Sequence, residues 1–202
     1  MMGAGVKSIL EPGEFDDAIR QIPPGKIGVW WFLASEIMVF GGLITAFILF
    51  SFASRGAFAA AAEHVQWRHG ATNTLVLVTS SLTMILALGY ARARNLARTR
   101  LCLFITVTLG MTFLIIKAVE YATEIKEGFV PGTSLFWSFY FGMTGLHGLH
   151  LMAGIIVNCI LLVAALRRAP WAFLERRLEL AGLYWHFVDV VWIFLFPLLY
   201  LT

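Results

Sequence analysis

Residues 134–166 read SLFWSFYFGMTGLHGLHLMAGIIVNCILLVAAL, without one Asp, Glu, Lys or Arg. A helix needs about 20 apolar residues to cross the ~30 Å hydrocarbon core of a bilayer. This stretch exceeds that, so it predicts a transmembrane helix that tilts or projects beyond the bilayer. Working outward, four more runs are long and predominantly apolar: 27–50, 71–90, 101–123 and 178–201. Barrel strands would instead alternate in polarity over about ten residues. Unbroken apolar runs satisfy their backbone only as helices. The fold class predicted is all-α, a polytopic membrane bundle of five transmembrane helices.

The composition agrees. Of 202 residues, 59% are hydrophobic and 13% charged, against about 25% charged in a soluble domain. Five spans use nearly the whole chain, which divides into a polar tail, 1–26, and one membrane domain, 27–202. No stretch remains for an independent soluble domain. The tail is acidic (Glu11, Glu14, Asp16, Asp17) and lacks the apolar core of a cleavable signal. The first span is therefore expected to act as its own insertion signal. Cys102 and Cys159 lie in apolar runs and form neither a CxxC pair nor a disulfide framework.

The connections set an orientation. The second carries Arg92, Arg94, Arg98 and Arg100, and the fourth Arg167, Arg168, Arg176 and Arg177. The first holds Arg55, Glu63 and Arg68, with a short interfacial helix expected through the alanines at 59–62. Glu124 to Thr133 reads as a turn. By the positive-inside rule the two basic connections face the cytoplasm, the N-terminus with them, and the C-terminus lies outside. These loops also account for the net charge of +3, so the basic balance points to membrane topology and not to nucleic acid.

Seven ionisable side chains fall at membrane depth, and each is a candidate site by default: Glu36, Lys117, Glu120, His147, His150, His186 and Asp189. Glu36 sits near the bilayer centre with no basic residue within a turn on its own helix. A lone carboxylate is costly there, so it needs its proton, a partner or water. It reads either as a proton-holding acid or as a structural carboxyl bonded inside the bundle. Lys117 and Glu120 are three apart and share a helix face. They predict an ion pair near the interface, with Lys117 snorkelling toward the headgroups. His147 and His150 share a face of the fourth helix, where Gly145 and Gly148 are expected to admit a neighbouring helix. His186 and Asp189 share a face of the fifth, and a His–Asp or His–Glu contact between helices would satisfy such groups.

These histidines are a poor haem site. His147 and His150 point the same way and cannot clamp one ring, although either could pair with His186. Two haems would need four ligands, and only three intramembrane histidines exist. A copper or di-metal centre wants a denser cluster, and no phosphate loop or nucleophile elbow appears. No catalytic side chain and no metal site are expected in the chain itself. A b-type haem or quinol-binding membrane subunit stays open as an alternative class. A transporter would favour broken helices or half-repeats, and neither is visible.

GLHGLHLMAGI at 145–155 and YWHFVDVVWIFLF at 184–196 resemble the signatures of subunit III of haem–copper respiratory oxidases. WFLASEIMVFGG at 31–42, NTLVLVTSSLT at 73–83 and VTLGMTFLIIKAVEY at 107–121 fit the same family in order. The resemblance covers about 27–201 and matches the short, five-helix bacterial form. It implies a subunit without redox centres, packed against a subunit I that holds haem and copper, in a complex that reduces O₂ to water and pumps protons. It implies two helix groups around a cleft that binds phospholipid, for which Trp30, Trp31, Arg176 and Arg177 are candidates. It makes Glu36 the carbodiimide-reactive carboxyl. Partners implied are subunit I, other oxidase subunits, phospholipid and possible membership of a respiratory supercomplex, in a bacterial inner membrane. Quinol oxidases and nitric oxide reductases carry similar subunits, so the electron donor stays open.

Overall fold

The structure is a computed structural model that describes residues 24–54 and 56–201. The acidic tail as far as residue 23, Arg55 and Thr202 lie outside the described residues. Six helices follow in order: α1 Pro24–Ala53, α2 Ala57–Ala62, α3 Trp67–Arg92, α4 Leu96–Lys126, α5 Leu135–Leu166 and α6 Trp171–Tyr200. All but α2 are long and apolar enough to cross a membrane. They are 26 to 32 residues long. At 1.5 Å per residue that is about 39–48 Å, so every span outreaches the hydrocarbon core.

Every span but α5 is longer than its apolar run because polar residues continue the helix into the headgroup zone. Arg98 and Arg100 are in α4, and Arg176 and Arg177 are in α6, so the two basic connectors shrink to tight turns. The boundary expected at residue 26 also falls within a helix, since α1 starts at Pro24. Glu124, read as the start of a turn, lies in α4 and is buried. The expected interfacial helix is α2, pinned by Phe58 against Phe47 and Phe136.

Three helices end in the same way. Asn95 N–H bonds Tyr90 O, Ala169 N–H bonds Ala164 O, and Phe129 N–H bonds Glu124 O, at 2.9, 3.0 and 2.9 Å. These are the six-to-one bonds of Schellman motifs. The left-handed residue is Gly128 (φ 91°) in one, but Arg94 and Arg168 (both φ 54°) in the others. Asn95 and Ser134 then cap the next helices, accepting from Arg98 N–H and Trp137 N–H. Arg100 bonds Ala165 O through Nε and Nη2, at 3.0 and 2.8 Å, and so satisfies the free carbonyls at the end of α5.

Helices α3 to α6 close into a four-helix ring, each packed on two neighbours, and α1 packs on α6 and α5. At the centre of the ring Trp185 is fully buried. A Cβ at Gly110 would come within 2.9 Å of its indole, and one at Gly154 within 2.8 Å. Those two glycines admit the ring, whose Nε1 donates to Ser80 Oγ at 3.0 Å. The close approach expected at Gly145 and Gly148 is not found among the described residues: none of them lies within 4 Å of a Cβ at Gly148, and of them only Tyr121 Oη, at 3.8 Å, approaches one at Gly145. The helix surface turns its other side inward, so His147 points to the core and Gly148 to the outside.

Candidate functional site

Glu36 reaches from the middle of α1 to α5, where its Oε2 lies 3.0 Å from His150 Nε2. The other ring nitrogen, Nδ1, is 2.9 Å from Leu146 O. A carbonyl only accepts, so Nδ1 carries a hydrogen. Nε2 then either accepts a proton held by Glu36 or donates its own to a carboxylate. Both cases put a single proton between the two side chains and leave the pair neutral overall. The partner of Glu36 is thus a histidine on another helix.

The pair is built into the seam between α1 and the ring. Phe40, one turn on from Glu36, meets the His150 ring edge-on at 5.4 Å. Tyr184 of α6 donates to His150 O at 2.8 Å and meets Phe32 at 6.0 Å. Phe32 and Tyr184 also line a cavity of about 610 Å³ that runs along the seam toward the basic end. Its walls are apolar, from Gly28, Val157 and Ile160 among others, and Arg177 lies at the end away from Glu36. Lys26 and Glu179 close α1 onto α6 at 2.7 Å. Of the lipid candidates, Arg177 lines the cavity and the Arg176 guanidinium lies near Gly25, whereas Trp30 and Trp31 face outward, 59% and 76% exposed. The division into two helix groups is, in this chain, four helices and one, with the cavity between them.

A second polar cluster lies inside the ring, toward the end opposite the arginines. Lys117 Nζ is 3.2 Å from Glu120 Oε2, with both side chains buried. It donates to Tyr140 Oη at 3.0 Å and to Tyr200 Oη at 2.5 Å. Those two hydroxyls donate onward to Glu120 Oε1, at 2.6 and 2.7 Å. Two ammonium hydrogens thus go to tyrosines, Glu120 Oε2 faces the ammonium at ion-pair distance without a hydrogen bond among the described residues, and the rings of Tyr121, Tyr140, Trp192 and Tyr200 surround the charge within 5.7 Å. Lys117 does not snorkel. A closed network of this kind lets a buried pair persist. Tyr140 and Tyr200 come from α5 and α6, which no pattern within α4 could announce.

The remaining candidates separate. His147 is buried between Phe113 and Trp192, and neither ring nitrogen has a hydrogen-bond partner among the described residues. His186 Nδ1 is 2.6 Å from Ser81 Oγ on α3. Asp189 lies near Ser81, but neither carboxyl oxygen makes a hydrogen bond among the described residues. The three histidines thus face three different surroundings. Among the described residues no group of three or more His, Cys, Asp or Glu is placed to hold a metal ion.

Comparison with known proteins places this geometry. The family model described as Cytochrome c oxidase subunit III matches residues 13–202. The chain is 31% identical to cytochrome c oxidase subunit 3 of Bacillus sp. strain PS3, over 87% of this chain and 84% of that protein. It is also 31% identical to a protein named probable quinol oxidase subunit 3 from Staphylococcus aureus strain USA300, over 87% and 88% of the two chains. A five-span bundle matched along nearly its whole length, with an acid and a histidine meeting at mid-membrane, belongs to the cytochrome c oxidase subunit III family of haem–copper oxidases.

Proposed function

We propose that this chain is the non-redox third subunit of a proton-pumping oxidase that takes electrons from cytochrome c and reduces O₂ to water. The haems and copper sit in a partner subunit I. This chain stabilises that subunit, holds phospholipid beside it and supports proton uptake. The observation that carries the reading is the Glu36–His150 pair set in the same seam between α1 and the ring as an apolar, arginine-tipped cavity, whose lining residue Tyr184 donates to His150 O. A cavity of about 610 Å³ with one cationic end suits acyl chain and phosphate together. The pair holds one proton without a net charge, so a proton can rest at membrane depth without burying an uncompensated ion, and passing it on requires a replacement proton to restore neutrality.

The arginines at one end support a cytoplasmic N-terminus and an external C-terminus in a bacterial plasma membrane. Quinol as donor is the second reading, favoured by relatives named as probable quinol oxidase subunits. The test is turnover of the intact complex with Glu36→Gln, which keeps the shape and a hydrogen-bonding amide but cannot release the carboxyl proton. The expected result is normal assembly with a lower rate or faster inactivation during turnover. Unchanged kinetics would leave Glu36 a structural role only.

A further inference from the structure

Most hydroxyls on the outer surface of the spans bond to their own helix. Ser35, Thr72, Thr79, Thr108, Thr112 and Thr123 each donate to a carbonyl three or four residues back. Such groups can face acyl chains without an unmet donor. The outer face of α6 is different. His186, halfway along that helix, is half-buried, and its Nδ1 is engaged by Ser81. Its Nε2 has no partner among the described residues. Across α6, Thr45 of α1 is exposed and has no hydrogen-bond partner among the described residues either.

These two polar groups flank one trough. At 100° per residue His186, Val190 and Ile193 form a stripe on α6, and Val190 and Ile193 are each 48% exposed. Both α1 and α3 pack on α6, so they form the walls. On the α1 side Gly41, Ile44 and Thr45 border a hollow of about 330 Å³ that Val190 and Phe194 share. A Cβ at Gly41 would meet none of the described residues within 4 Å, which leaves room for a backbone to come close. On the α3 side Val78 and Ile85 are exposed either side of Ser81.

We infer that this trough seats a transmembrane helix of the catalytic subunit, with a hydrogen-bonding side chain opposite His186 Nε2. Acyl chains offer such a nitrogen nothing, and an ionisable group at mid-membrane is found against protein or water and not against lipid. The inference rests on the proposed function, which supplies the partner.

The test places a photo-crosslinking phenylalanine analogue at Val190, at Ile193, or at Phe104 on the exposed side of α4, in the tagged chain in native membranes. Adducts with the haem-bearing subunit, identified by mass, are expected from 190 and 193 and not from 104. His186→Ala should lower the co-purifying haem several-fold and His186→Gln should restore most of it. Lipid adducts alone at 190 and 193, or an adduct of that subunit from 104 instead, would overturn the trough while leaving the proposed function standing. If the unmodified tagged chain brought down no haem-bearing subunit, both would fall.

Discussion

Glu36 and His150 are separated by more than a hundred residues, yet each supplies what the other lacks. Removing either leaves a half-used polar group in the seam, so the two substitutions should not add. A double-mutant cycle with Glu36→Leu and His150→Leu is expected to give a coupling of about 1 kcal/mol, the scale of interhelical hydrogen bonds in membranes. Thermal unfolding in detergent measures it, and strictly additive losses would mean the contact contributes nothing. Lys117 should behave more severely. Lys117→Met leaves Glu120 with two tyrosines and no cation, and is expected to cost about 3–5 kcal/mol. Pairing it with Glu120→Gln should recover much of that loss, because the tyrosine hydroxyls keep an acceptor. The sequence exposed all of these side chains as candidates, since charge inside an apolar run is conspicuous. It also gave the Lys117–Glu120 pairing, which is local to one helix. It did not give the partner of Glu36 or the tyrosines around Lys117, because those contacts join helices, and spacing within one helix is silent about what faces it.

Helix ends and glycines show the same boundary between local and non-local information. Five spans were legible from apolar runs alone, and Ser134 before the fourth marks its start by ordinary capping chemistry. The ends were read short by up to seven residues, as at Trp171, because arginines and glutamates look like loop while they extend a helix. Glycine roles were misassigned for a related reason: a histidine-flanking glycine stands out in the sequence, whereas Gly110 and Gly154 matter through side chains on other helices, Trp185 for both and Ile155 for Gly110. Gly154→Ala is therefore expected to destabilise by about 1–3 kcal/mol through overpacking. Gly148→Ala should be neutral or stabilise by up to about 1 kcal/mol from helix propensity. At the turns, Arg94→Gly should raise stability by about 0.5–1 kcal/mol, since an arginine pays a steric cost in the left-handed region that glycine does not. A thermal-shift series on the purified chain ranks all three.

The whole molecule is a tight four-helix ring with a fifth span fastened along one side. That fastening uses Lys26–Glu179 at the basic end, Glu36–His150 in the middle and the Phe47 aromatic cluster at the other end. Between the first two lies the cavity, and beside α6 lies the trough. Both features belong to surfaces that the proposed third subunit would use to serve a partner. The most direct measurement of that claim is mild solubilisation of native membranes, capture through a tag on this chain, and the visible spectrum and O₂ consumption of what comes with it. The expected result is a large haem- and copper-bearing subunit and O₂ reduction driven by reduced cytochrome c. A chain that comes down alone and colourless would contradict it, as would one that carries haem itself.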